Sequence, residues 1–132
     1  MKATVCFLIV LFFLLPAFGG SVPTELAACD SKEFSFGDLK YYTEKELIQT
    51  YCNCLKLKKL QTDTSLILLE EWKLRNEHEK IMPSKENRES IEKIKSEVDM
   101  RQNQSQVAAG NASRIERILK TDFGHESSPN CE

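Results

Sequence analysis

Cysteines are the residues of this chain whose spacing most restricts their chemistry. Of the five, Cys6 lies in an apolar N-terminal run, and the others are Cys29, Cys52, Cys54 and Cys131. Four cysteines in a short chain with an N-terminal pattern for export, described below, are typical of two disulfide bonds. Zinc is disfavoured, because a Cys-x-Cys pair with two remote cysteines lacks the ligand spacing of zinc sites. The sequence therefore predicts that all four form disulfides.

The pairing is narrowed by ring strain but not decided by it. A bond between Cys52 and Cys54 would close a very small ring, far from ordinary disulfide geometry. Each is therefore expected to bond a remote cysteine, and two arrangements stay open. They are Cys29–Cys52 with Cys54–Cys131, and Cys29–Cys54 with Cys52–Cys131. Either arrangement joins one helix to both the N-terminal segment and the C-terminal tail.

The other polar residues do not form a recognisable catalytic set. His78 and His125 are far apart in sequence, and neither belongs to a motif of metal ligation or nucleophilic catalysis. Glu71 is the acid closest to an apolar stripe, and one carboxylate is not the pair that acid–base catalysis uses. We therefore expect a protein that is not an enzyme and that holds no cofactor or metal.

The first 19 residues have the pattern of a secretory signal peptide. Lys2 precedes an apolar run from 5 to 15, and Ala17-Phe18-Gly19 offers small residues for cleavage. A membrane anchor is the alternative, but the run is shorter than the ~20 residues that a span needs. The sequence predicts a signal peptide at 1–19 and one secreted helical domain at 20–132, with no membrane insertion after cleavage.

Helical patterns cover this domain, and no stretch alternates as a strand would. A capping box, Thr43-Glu44-Lys45-Glu46, begins the helix that carries the middle cysteines. A turn at 61–65 separates it from a second helix that ends before Pro83. The residues 66–69, apolar all round, predict that the second helix begins at a buried end. Its apolar residues then recur at intervals of seven, at Ile67, Leu74 and Ile81.

The last third of the chain predicts two more helices. A charged helix runs from Lys85 to about Arg101, and a final helix begins at a capping box at Ser113 and ends at Gly124. Between them, 102–112 is expected to be a flexible loop. That segment holds two N-glycosylation sequons, and both are predicted to carry sugar. Their acceptor residues are Asn103 and Asn111.

The two ends of the domain are expected to be held by the core and by a disulfide. A capping box at Asp30 predicts a short turn that ends at Gly37, and the aromatic cluster at 34–42 is expected to plug a small core. The tail at 125–132 is expected to be tethered by Cys131. The resulting fold is an all-α, disulfide-stapled bundle of about four helices.

Function is expected to lie in binding. The formal net charge of −2 argues against bulk binding to nucleic acid or anionic lipid. We expect a secreted ligand or effector of a cell-surface receptor or channel, either cytokine- or hormone-like or venom-type. The alternative is an extracellular carrier whose core, lined by 34–42 and 66–69, holds a small apolar molecule. Candidate partner-binding residues lie on two charged helix faces: Lys56, Lys58, Lys59, Arg88, Glu92 and Lys95.

One segment has a family resemblance. Leu66–Met82 resembles one helix of the type II interferons in its leucine-rich start, its Trp-Lys pair and its closing Lys-Ile-Met. The chain lacks the strongly basic tail of that family. No membership and no functional residue are therefore inferred from the resemblance.

Overall fold

Two long helices form most of the molecule. The computed structural model describes residues 21–132, so the predicted signal peptide lies outside the described residues. A 3-10 turn at Thr24–Leu26 and a one-turn helix, α1, at Phe36–Leu39 come first. They are followed by α2 at Glu44–Ile81, of 38 residues, and α3 at Lys85–Phe123, of 39 residues. At 1.5 Å per residue the antiparallel pair is a hairpin about 57 Å long.

Local capping chemistry sets the ends of both long helices. The Thr43 hydroxyl accepts from the Glu46 backbone N–H, and the Glu46 carboxylate accepts from the Thr43 backbone N–H, which confirms the predicted capping box. Pro83 ends α2, and Ser84 caps α3 by accepting from the backbone N–H of Asn87. Gly124 ends α3 with a left-handed φ of 72°, as the sequence predicted.

The all-helical, disulfide-bonded class is confirmed, but the predicted number of about four helices is only partly so. Residues 61–65 belong to α2 and 102–112 belong to α3, so the predicted turn and flexible loop were wrong. Residues in both segments are buried against the rest of the fold instead of capping new helices. Gln61 and Ser65 are buried, as are Ala108 and Asn111. Tertiary packing therefore overrides the weak helix preference of these stretches.

The core lies at the end of the hairpin where the chain begins and ends. There the N-terminal segment and α1 cover the start of α2 and the end of α3. The buried cluster comprises Leu26, Cys29, Phe34, Leu39, Leu47, Tyr51, Cys54, Ala112, Ile115, Ile118 and Leu119. We call this end the base. Within the described part of α2 no residue after Ser65 is buried, so the rest of the hairpin is a thinner two-helix arm.

The N-terminal segment differs from the prediction in two details. The capping box belongs to Ser35 and Asp38, so α1 begins after Ser35, and Gly37 lies inside it. Asp30 instead accepts from the side chain of Gln61. The aromatic cluster plugs the core only in part, because Phe34 is buried whereas Tyr41 is 81% exposed.

Candidate partner-binding surface

The two disulfides lie at the base and differ in exposure. Cys29 bonds Cys54 and Cys52 bonds Cys131, each with a Cα–Cα distance of 5.3 Å. This is one of the two arrangements that the sequence left open. Cys29 and Cys54 are fully buried in the core, whereas Cys131 is exposed. The outer bond holds the tail against α2, and nearer the start of that helix a hydrogen bond of 2.6 Å joins the His125 ring to the Glu44 carboxylate.

Asn111 joins the N-terminal segment to α3. Its side-chain Nδ2 donates to the carbonyl oxygens of Cys29 and Lys32, both at 2.7 Å. Its Oδ1 accepts from the backbone N–H of Phe34 at 2.8 Å. The residue is completely buried. Three backbone groups of a segment without regular structure are thereby satisfied by one amide, as burial requires.

The apolar residues spaced by seven on α2 face solvent. Leu60, one interval earlier, extends the series, and we call Leu60, Ile67, Leu74 and Ile81 the α2 stripe. Their exposed fractions are 54%, 71%, 68% and 79%. The prediction of a buried start to this part of the chain was therefore wrong, since Leu66 is also 56% exposed.

Helix geometry explains why the α2 stripe points outward. Ser65 is buried, and Trp72 lines a groove shared with Val98 of α3. Ile67 and Leu74 each follow one of these residues by two positions, which is about 200° around the helix. Because α2 has only one long helix packed against it in the described structure, its opposite side is left open.

Charges border the α2 stripe and pair along the same helix. Lys59 forms an ion pair with Asp63, and Lys73 lies 2.8 Å from Glu70. Exposed pairs of this kind add little stability. They do place charges of both signs beside four apolar side chains that extend over about 32 Å of the helix, the length of 21 helical residues. The surface therefore combines exposed apolar side chains with ion-paired charges of both signs.

The tip of the hairpin is held by Glu79. One Glu79 oxygen accepts from the backbone N–H of Ser84 at 3.1 Å and from the side chain of Asn87 at 2.9 Å. These two hydrogen bonds lower the pKa of Glu79 below the ordinary value of a glutamate, with a smaller contribution from Arg88. The turn is fixed even though Ile81 and Met82 beside it are 79% and 64% exposed.

The structure does not bring the predicted binding residues together. Lys56, Lys58 and Lys59 are exposed near the middle of α2, where Lys56 and Lys59 border a cleft of about 510 Å³ beside Cys131. The other three lie on the arm of α3. Arg88 pairs with Glu79 at 3.3 Å, Lys95 borders a groove of about 190 Å³, and Glu92 is exposed.

The two sequon acceptors occupy opposite environments. Asn103 is exposed, whereas Asn111 is buried and hydrogen-bonded as described above. The prediction of a glycan on Asn111 conflicts with that burial. Sequence reasoning also missed the α2 stripe as a surface, although the interval of seven was visible. That interval shows that residues share a side, and only the packed structure shows which side is covered.

The described residues offer little for chemistry. Across 21–132 no group of three or more His, Cys, Asp and Glu side chains is placed to hold a metal. A cleft of about 530 Å³ between α1 and the end of α3 is lined by both apolar residues, Phe36 and Ile118, and polar or charged ones. His78 is exposed on α2.

Comparisons with known proteins leave the site to be interpreted from its own geometry. No protein-family model matches the chain, and no significant similarity is found to curated proteins or to solved structures. Neither long helix, nor the short elements of 21–132, has an apolar stretch of the length required to cross a membrane.

Proposed function

We propose that the protein is a secreted, non-enzymatic ligand or effector that binds a cell-surface receptor or channel through the α2 stripe. The observation that supports this most directly is the exposure of four large aliphatic side chains along one side of a capped helix. Exposed apolar patches larger than a few hundred Å² are rare on monomeric soluble proteins and commonly mark interaction sites. Helix recognition uses anchors that recur along one side of a helix in this way.

The base supports this role by fixing the direction of the arm. Both disulfides attach to α2 within a single helical turn, at Cys52 and Cys54, and the core surrounds the inner bond. A rigid base reduces the ordering cost that binding would otherwise carry. The arm then presents the α2 stripe as a preformed surface.

The charges beside the α2 stripe define the chemistry of the partner. Lys59 pairs with Asp63 and Lys73 pairs with Glu70, so charges of both signs lie beside the stripe in equal number. A complementary surface would be an apolar groove with charges of both signs along its edge. Such a pattern favours specificity over bulk attraction, which fits the formal net charge of −2.

Secretion is supported by the disulfides. Two bonds that use all four cysteines of 21–132 are typical of an oxidising compartment. The N-terminal pattern of basic start, apolar run and small residues adds independent support from the sequence. Whether the ligand is cytokine-like or venom-type depends on its source, and the physics of binding is the same.

The carrier alternative has less support. It requires the 34–42 cluster and the 66–69 turn to enclose one cavity. Phe34 and Leu39 belong to the base core, whereas Leu66 and Ile67 face solvent on the arm. The two groups therefore belong to different parts of the hairpin.

The experiment is saturable binding of oxidised, labelled protein to a panel of cell types, with the double variant Ile67→Asp, Leu74→Asp. Both side chains are exposed, so the variant is expected to fold and to bind at least tenfold more weakly, as loss of interface anchors does. The control is Met100→Asp, which adds one negative charge of the same kind at a 47% exposed apolar position of α3.

Three outcomes would contradict the proposal. One is equal binding by the double variant and the parent protein, and another is an equal loss in the Met100→Asp control. The third is a stoichiometric apolar molecule in a lipid extract of the purified protein, without saturable binding to any cell type. That last result would favour the carrier.

A further inference from the structure

We propose that the two sequons have different fates: Asn103 carries an N-linked oligosaccharide, and Asn111 stays unmodified because its amide holds the N-terminal segment on α3. The proposal rests on the secretion inferred above and on no property of the binding surface. It separates two motifs that are indistinguishable in sequence, Asn103-Gln104-Ser105 and Asn111-Ala112-Ser113.

The chemistry of N-glycosylation shows why the folded protein cannot accept a sugar on Asn111. An oligosaccharide is transferred from a lipid diphosphate donor to the Asn side chain. The bond between sugar C1 and Nδ2 forms, the C1–O bond to the phosphate breaks, and Nδ2 loses one proton. The product amide keeps one N–H. In the folded protein Asn111 Nδ2 uses both of its N–H groups, one for Cys29 and one for Lys32.

A sugar on Asn111 would also need space that the fold does not contain. The side chain has 0% exposure, and both acceptor carbonyls are 2.7 Å from Nδ2. A bulky, hydrated group requires a surface position. Modification would therefore displace the segment at 29–34, together with the buried Cys29 that it carries. A chain glycosylated at Asn111 before folding is not expected to reach this fold.

Asn103 has the opposite geometry. Ser105 faces α2, because its hydroxyl lies 2.8 Å from that of Thr62. Asn103 precedes Ser105 by two positions, about 200° around the helix, so it points away from α2 and is exposed. A glycan there would cover the outer side of α3 and leave the α2 stripe on the opposite helix open.

The test is peptide mapping by mass spectrometry of the full chain, 1–132, expressed in a eukaryotic secretory cell and purified from the medium. We expect a glycan on Asn103, an unmodified Asn111, and loss of all N-glycan mass in Asn103→Gln. An unmodified Asn103 would overturn the proposal, as would a glycan on Asn111 in the secreted protein.

Two further variants separate the role of the amide from that of the sugar. Ser113→Ala abolishes the second sequon at an exposed position and keeps the Asn111 amide. It is expected to be secreted at least as well as the parent. Asn111→Gln removes the same sequon but shifts the amide by one methylene, so secretion is expected to fall several-fold. Equal secretion of these two variants, or a loss in Ser113→Ala, would contradict the structural role.

The secretion step can fail separately. If the chain is found inside the cell with its first 19 residues still attached, the proposed secretion is contradicted. The sequon preference is then measured on residues 20–132 placed behind an established signal peptide, with the same expected and contradicting results.

Discussion

Gln61 accepts a hydrogen bond from Arg101 across the two long helices, with 2.9 Å between Oε1 and Nη1. The Nε2 of the same side chain donates to Asp30 at 2.7 Å. Gln61 is only 5% exposed. One buried amide therefore connects α2, α3 and the N-terminal segment at the point where the base meets the arm.

Replacing that amide should destabilise the protein. Gln61→Leu leaves Arg101 and Asp30 without this partner, and we expect the free energy of unfolding to fall by about 1–3 kcal/mol. Urea denaturation of the oxidised protein measures this change in the free energy of unfolding. Gln106→Leu, at an exposed position of α3, is the control and should change the value by less than about 0.5 kcal/mol. Equal effects of the two variants would show that the bridge adds no stability.

Two aliphatic truncations test which sides of the helices are covered. Ile115 is fully buried in the base, so Ile115→Ala should cost about 2–5 kcal/mol. Leu74 is 68% exposed, so Leu74→Ala should stay within about 0.5 kcal/mol. Thermal unfolding at two protein concentrations measures both. A large, concentration-dependent loss in Leu74→Ala would mean that the α2 stripe is covered by a second copy in solution.

Removing the outer disulfide should free the tail and lower stability. Cys52–Cys131 spans 79 residues, for which the chain-entropy model gives about 4.5 kcal/mol. The double variant Cys52→Ala, Cys131→Ala is expected to lose roughly that much and to show fast backbone motion at 125–132 in ¹⁵N relaxation. The variant that removes Cys29–Cys54 is the control, because its tail stays bonded. A rigid tail in the first variant would contradict the tether.

The hairpin tip should respond to acid. The folded-state pKa of Glu79 is lowered, so its stabilising effect is complete above the unfolded value of about 4.3 and is lost as pH falls through the folded value. We expect the Ser84 amide resonance to titrate with a midpoint below the ordinary pKa of a glutamate. In Glu79→Gln that titration should vanish. A midpoint at or above that ordinary value would show that the hydrogen bonds at the tip are not maintained in solution.

Features set by neighbouring residues were predictable from the sequence. The capping box at Thr43, the stop at Pro83 and the left-handed Gly124 each depend on contacts within about one helical turn. At 61–65 the neighbouring residues predicted a turn that the structure does not have, because contacts with distant residues decide the conformation there. Thr64 and Ser65 resemble caps, yet their hydroxyls donate to carbonyls of their own helix while Gln61 packs inward.

Features set by distant residues were not predictable. The partners of Asn111 lie 77 to 82 positions earlier in the chain, so its motif suggested a sugar site where the fold has a structural amide. The same limit applied to the cysteines, because ring strain excluded Cys52–Cys54 but could not choose between the remaining pairings. The direction of the α2 stripe likewise depended on how many helices pack against α2.

The outer disulfide also determines what a protease could achieve. Hairpin tips are preferred sites of cleavage, and here the tip between Ile81 and Lys85 lies inside the ring that Cys52–Cys131 closes. A single cut there would yield two peptides that remain one covalent molecule, with the base core intact. Such a nicked form would keep its mass on a non-reducing gel and separate only after reduction, so one cleavage outside the cell would not divide the molecule.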